Sequence, residues 1–114
     1  MLAKDFNKIV EDQFDICRDL MVNKAGEYAT EDRLFNFKQP TSMMHQNQAQ
    51  VCLSYQMKHM ASCVKIAEDL NKGIFPTDEM LDEKVTDMIN YCLLFKANVK
   101  ELRDYYTQKP DTVL

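Results

Sequence analysis

The chain has only two glycines, three prolines and no tryptophan in 114 residues. So few backbone breakers argue against a fold of many short strands and tight turns, and favour a few long helices. The four cysteines, Cys17, Cys52, Cys63 and Cys92, stand 35, 11 and 29 positions apart, with no Cys-x-x-Cys pair. No Cys/His spacing of the zinc kind occurs either. Each cysteine lies among apolar neighbours, so they read as small hydrophobes of a reducing compartment rather than a disulfide framework. No apolar run approaches the roughly 18 residues of a membrane span. The start, Met1-Leu2-Ala3-Lys4-Asp5-Phe6, has no apolar secretory core. A cytoplasmic protein without a membrane partner is expected. Excess positive charge is lacking too: 14 Lys+Arg against 18 Asp+Glu leaves −4. Duplex nucleic acid is therefore not expected as a partner, because unspecific duplex binding runs on basic stripes that release counterions. A nucleophile elbow, a phosphate-loop glycine run and a metalloprotease signature are all missing, so covalent catalysis has no support.

What is present has globular proportions. Hydrophobic residues make up 46% and charged residues 28%, too apolar for a disordered tail. The length fits a single helical domain over residues 1–114. Apolar residues at three-and-four spacing mark three main helices, at about 4–25, 46–70 and 78–106. The first carries Phe6, Ile9, Val10, Phe14, Cys17, Leu20 and Met21, with Gly26 as its stop. The second carries Ala49, Leu53, Met60, Cys63, Val64, Ala67 and Leu70, and Asn71-Lys72-Gly73 reads as its end. The third opens with a Thr77 cap followed by Asp78 and Glu79, acids where the helix dipole favours them. Its stripe of Leu81, Val85, Met88, Cys92, Phe95, Val99, Leu102 and Tyr106 alternates by four and three without a slip, and predicts a core-facing seam. At 1.5 Å per residue that helix runs roughly 43 Å. A compact chain of this length has a radius of gyration near 13 Å, so the rod outruns a monomer's body. An all-α homo-oligomeric helical bundle is the expected architecture.

The long connection at 27–45 exceeds the two to eight residues usual between helices, and such loops tend to be functional or disordered. Tyr28, Arg33, Asn36, Phe37 and Lys38 lie on it, with Lys24 just before. Thr30-Glu31-Asp32-Arg33 has the residue types to cap a short helix. Aromatic and basic residues interleaved on a loop suit stacking a base and holding a phosphate; the alternative is a loop whose aromatics fold into the core. On the third helix Glu83, Asp87 and Asn90 share a face opposite the stripe, with Tyr91 beside it. That face is either simply wet or, in a bundle covered on several sides, the lining of a cleft. Lys58 and His59 on the second helix could meet Glu83 and Asp87 as a salt bridge or as a phosphate site.

The set Lys24-x-x-Glu27-Tyr28, Arg33-x-x-Asn36-Phe37, Lys58-His59 and Glu83-Lys84-x-x-Asp87 with Asn90-Tyr91 resembles small phage-encoded helical proteins. These are grouped with nucleotide-modification-associated proteins and the MazG-like all-α nucleotide pyrophosphohydrolases. The resemblance spans residues 15–103 in short motifs. MazG-like enzymes bind magnesium with a Glu-Glu-x-x-Glu segment on one helix and a Glu-x-x-Asp pair on the next. Here Lys84 stands three residues before Asp87, where that family places Glu, and Met57-Lys58-His59-Met60-Ala61-Ser62 offers no acid for the first segment. Hydrolysis through magnesium needs several carboxylates to hold the ions and orient water. Lys and His in their place contact phosphate oxygens directly.

Three functions follow as expectations. The first is a phage-type nucleotide-binding helical oligomer, acting in the host cytoplasm as an anti-defence sponge that sequesters a nucleotide signal without hydrolysis. Its site would comprise Lys24, Glu27, Tyr28, Arg33, Asn36, Phe37, Lys58, His59, Glu83, Asp87, Asn90 and Tyr91, with no catalytic residue, metal or cofactor. The second is a divergent magnesium-dependent nucleotide pyrophosphohydrolase or nucleotide-modification enzyme, with Glu83 and Asp87 on the metal and help from Glu27 or Glu31. The third is a helical protein-interaction module that uses the long stripe and no small ligand.

Overall fold

The computed structural model describes residues 1–23 and 32–108. Among them there are three long helices, two single-turn helices and no strand. Helix α1 (Ala3–Arg18) runs on into a π-helical turn, Asp19–Asn23. After the segment 24–31, within which Gly26 falls, come α2 (Phe35–Lys38) and α3 (Thr41–Met44). Helices α4 (Gln48–Leu70) and α5 (Asp78–Gln108) complete the chain's described part. No helix among the described residues is long and apolar enough to cross a membrane.

The local chemistry sets these boundaries. The Leu34 amide donates to the Asp32 carboxylate at 3.0 Å, turning the chain into α2. His45, at φ 53°, takes the left-handed conformation that closes α3. Helix α4 then begins in a reciprocal cap: the Gln50 amide donates to Asn47 Oδ1, and the Asn47 amide donates to Gln50 Oε1, both at 2.9 Å. Gly73, at φ 73°, ends α4 in a turn that a side chain would strain. The Met80 amide donates to Thr77 Oγ1 at 3.2 Å, so Thr77 caps α5.

Helices α4 and α5 pack as an antiparallel hairpin and form the body of the fold. Their seam runs from the Cys63 thiol, which donates to the Lys84 carbonyl, to the Gln48 amide on Asn98. Leu34 and Phe37 from the α2 region cover one flank of the hairpin and make the core with Val51 and Cys52. Helix α1 lies against α5 through buried Cys17 and through Gln13, whose amide donates to Thr86 Oγ1 at 2.7 Å.

This packing corrects the expected core. On α5 the fully buried residues are Thr86, Asn90 and Asn98, all polar, while Leu81, Cys92, Val99 and Tyr106 of the predicted stripe are exposed. On α4, Gln48, Val51 and Cys52 are buried, whereas Leu53, Met60, Val64, Ala67 and Leu70 are exposed. On α1 only Cys17 of the predicted stripe is buried; Phe6, Ile9, Phe14 and Leu20 are open to solvent. At 100° per residue, the buried polar set of α5 and its apolar stripe are centred about 160° apart around the helix. The chain covers the face that can pair amides and hydroxyls internally, and leaves much of the more apolar one open. Its radius of gyration is 17.5 Å and its long axis 56 Å, far from a compact sphere.

Candidate functional site

The α2–α3 corner sits over the middle of the hairpin. Asn36, Phe37, Gln39, Pro40 and Met43 from that corner, Tyr55 of α4 and Tyr91 of α5 line a cleft of about 440 Å³. Three aromatic rings form its wall. The Phe37 ring lies 5.8 Å from Tyr55 and 6.1 Å from Tyr91, edge-on to the latter. Both separations fall in the range of favourable aromatic pairs, which fixes the rings without any regular backbone beneath Phe37 beyond one turn. Phe37 is buried, while Tyr55 and Tyr91 are half-buried.

Behind Tyr91 the wall continues into polar groups. His59 tilts against the Tyr91 ring at 4.6 Å between centroids, and its Nδ1 stands 3.4 Å from Asp87 Oδ2. His59, Asp87 and Tyr91 thus form one unit across the seam, joined by ring contact on one side and by charge, when the imidazole is protonated, on the other. Burial, reinforced by negative charge developing at Cys52 and Asp87, pushes the Tyr91 phenol up from its ordinary range. Burial likewise pushes up the Cys52 thiol, which donates to the Tyr91 carbonyl. Both groups are therefore neutral donors near neutral pH.

Beyond the cleft, Lys38 joins Asp32 and Glu101, reaching Glu101 Oε1 at 2.8 Å. Its two carboxylate partners hold the Lys38 ammonium above its ordinary range. The same lysine holds the Asp32 carboxyl below the usual carboxylate range, helped by the Leu34 amide. Lys38 thereby ties the loop to the second half of α5, its charge taken up by two carboxylates.

No family model, curated protein or solved structure matches this chain.

Of the residues expected in a nucleotide site, Asn36, Phe37, His59, Asp87 and Tyr91 are brought together at the cleft and its rear wall. Lys24, Glu27 and Tyr28 lie outside the described residues, as does Glu31. Arg33 is elsewhere: its guanidinium donates to the Met21 carbonyl at 3.5 Å, beside a separate groove between the π-helical turn and the second half of α5. Lys58 is exposed one turn beyond Tyr55 on α4. Glu83 is exposed too, 3.8 Å from Lys84, so it does not share His59 with Asp87. Asn90 is buried, and its Oδ1 has no hydrogen-bond partner among the described residues. No group of three His, Cys, Asp or Glu side chains among the described residues converges as a metal site.

Sequence reasoning did not assign Tyr55, Gln39, Pro40 or Met43 to the site. For Tyr55 a signal existed: it stands four residues before His59, so the two share one face of a helix. The other three come from a corner whose path depends on how α2 and α3 fold back, which no periodicity reports.

Proposed function

We propose that the protein is a nucleotide-binding helical homo-oligomer that holds its ligand intact. The observation that carries this reading is the aromatic cleft. It offers the half-buried Tyr55 and Tyr91 rings to a base, backed by Phe37, whose own ring is folded into the core, and the Asn36 and Gln39 amides to the base's polar edge. Stacking on an aromatic ring is worth about 1–3 kcal/mol per base and tolerates any base; side-chain amides supply both donors and acceptors for discrimination. Lys58, exposed one turn from Tyr55, would supply a cation to a phosphate. His59, backed by Asp87, would add a second cation once protonated.

The likeness of these motifs to small phage nucleotide proteins supports sequestration as the use of such a site. So does the chemistry of the acids: Asp87 faces a histidine and Glu83 faces solvent, which suits fixing a cation better than sharing a metal. The exposed apolar stripe of α5 supports the oligomeric part.

A mass balance tests the reading. The purified chain is incubated with a panel of mononucleotides, dinucleotides and cyclic oligonucleotides, with and without magnesium. Filtrate and denatured retentate are then chromatographed. One species should vanish from the filtrate and return intact from the retentate, and Tyr55→Ala should lower its retention about tenfold, as loss of one stacking partner implies. Magnesium-dependent products in catalytic excess would instead make the protein a hydrolase, with Glu83 and Asp87 as the first candidates for metal ligands. Full recovery of every species in the filtrate would leave the helical interaction module.

A further inference from the structure

The hairpin of α4 and α5 covers only one of its flanks. The flank bearing Tyr55 lies under Phe37, and the Thr86 side of α5 lies under α1. On the opposite flank of α4, Leu53, Met57, Met60 and Val64 recur at four-three-four spacing, each at least 45% exposed. The stripe of α5 adjoins them. The Gln56 amide, which points between the helices, donates to the Met88 carbonyl and to the Cys92 thiol. Counting 100° per residue from those contacts, the two apolar stripes lie on the same side of the seam and form one continuous surface.

We infer that this surface is where a second copy of the chain docks, with α5 of one copy antiparallel to α5 of the other. The inference rests on the homo-oligomeric part of the proposed function and adds the face and the orientation. Area is the first argument. The chain exposes 8850 Å²; a compact monomer of its mass exposes roughly 6,500 Å². Spread along a 56 Å body, that surplus leaves room for the ~800 Å² per partner that a stable interface buries. Spacing is the second: stripes repeating by four and three on two neighbouring helices are what a four-helix packing interdigitates.

Charge selects the orientation. Asp78, Glu79 and Asp82 crowd the start of α5, with Lys84 the one cation near them on that helix. In its second half exposed Lys96, Lys100 and Arg103 outnumber Glu101, which is held by Lys38, and Asp104, which lies beside Arg103. A two-fold axis running across the helices lays the acidic end of each copy on the basic end of the other. An axis along the helices would lay like ends together.

Sedimentation equilibrium of the full chain at tens of micromolar tests this. The wild type should have twice the chain mass. Met57→Glu, at a side chain open to water in the single chain, should weaken association about a hundredfold while the helical circular dichroism is retained, because a two-fold contact buries the new charge twice. Phe14→Glu, exposed on α1 outside this surface, should leave the mass unchanged. For the orientation, Asp82→Lys should weaken the dimer, and adding Lys96→Glu and Lys100→Glu in the same chain should restore it. An oligomer that ignores Met57→Glu overturns the face but leaves the homo-oligomeric reading standing. A wild-type chain of single mass overturns both, and failure of the triple variant to recover overturns the antiparallel arrangement.

Discussion

Asn98 has no exposed surface at all and carries an amide into the centre of the hairpin. It is tolerated there because both ends of that amide are used: Oδ1 accepts from Gln48 Nε2 at 2.9 Å and Nδ2 donates to the Leu94 carbonyl at 2.9 Å. Gln48 reaches on to Glu101, which takes Lys38, so one residue anchors a polar chain from α4 through α5 to α2. Asn98→Ala removes one of the two acceptors of the buried Gln48 amide, the other being Glu101, and should cost about 1–3 kcal/mol, the usual penalty for a buried N–H left unpaired. Urea unfolding followed by circular dichroism reads this as a lower midpoint at unchanged slope; an unchanged midpoint would mean that Gln48 finds another acceptor. Tyr91 allows a second test at the same scale. Its phenol is raised by burial, so the folded chain keeps this proton to higher pH than the unfolded chain does. Stability linked to it is complete below the ordinary value of 10.0 and declines as pH climbs from there through the folded value. In an alkaline titration of tyrosinate absorbance, Tyr91→Phe should remove the last-titrating component. If that component persists in the variant, burial at Tyr91 is not what delays it.

Elements obey simpler rules than side chains, and the cap of α4 illustrates this. Asn47 and Gln50 close each other's free amides, so Asn47→Ala should cost about 1 kcal/mol. A fall of that size in the urea midpoint checks it, and Asn47→Ser should recover most of the loss. Thr77 and Gly73 likewise mark their boundaries by chemistry readable in the chain, and the three long helices announce themselves by period. What periodicity could not report is which side of each helix its own chain would cover. The apolar stripe of α5 is the louder signal, yet Thr86, Asn90 and Asn98 are the buried set. Two of these polar residues meet a matching group brought by another element, Gln13 for Thr86 and Gln48 for Asn98, while Asn90 keeps an unpartnered Oδ1 among the described residues, and such matching is invisible along one helix. The candidate site divides the same way. His59, Asp87 and Tyr91 were legible as neighbours because they sit on two helices with fixed period. Arg33 lies away from the cleft, its guanidinium on the Met21 carbonyl, because its place is set by a loop path that no helical period reports.

At the scale of the whole molecule, the chain is a 56 Å body with a mixed apolar and polar interior and an exposed apolar flank. If the second copy docks antiparallel, its free energy has two parts with opposite responses to salt. The apolar centre, around Met57 and Met88, is indifferent to ionic strength or slightly strengthened by excluded salts. The ends, where Asp78, Glu79 and Asp82 meet Lys96, Lys100 and Arg103, are attractive and solvent-exposed, so they fade as the Debye length falls from about 10 Å at 0.1 M to about 3 Å at 1 M. The antiparallel dimer should therefore loosen severalfold across that range without dissociating completely, with most of the change in the association rate, where long-range attraction acts. A parallel dimer has like charges at both ends and should tighten instead, since salt removes a repulsion. Sedimentation at two ionic strengths separates the cases by sign alone. Asp82→Lys should flatten the dependence of the antiparallel form, because that end then presents a cation to a cation. A dimer that tightens with salt would keep the face and reverse its orientation.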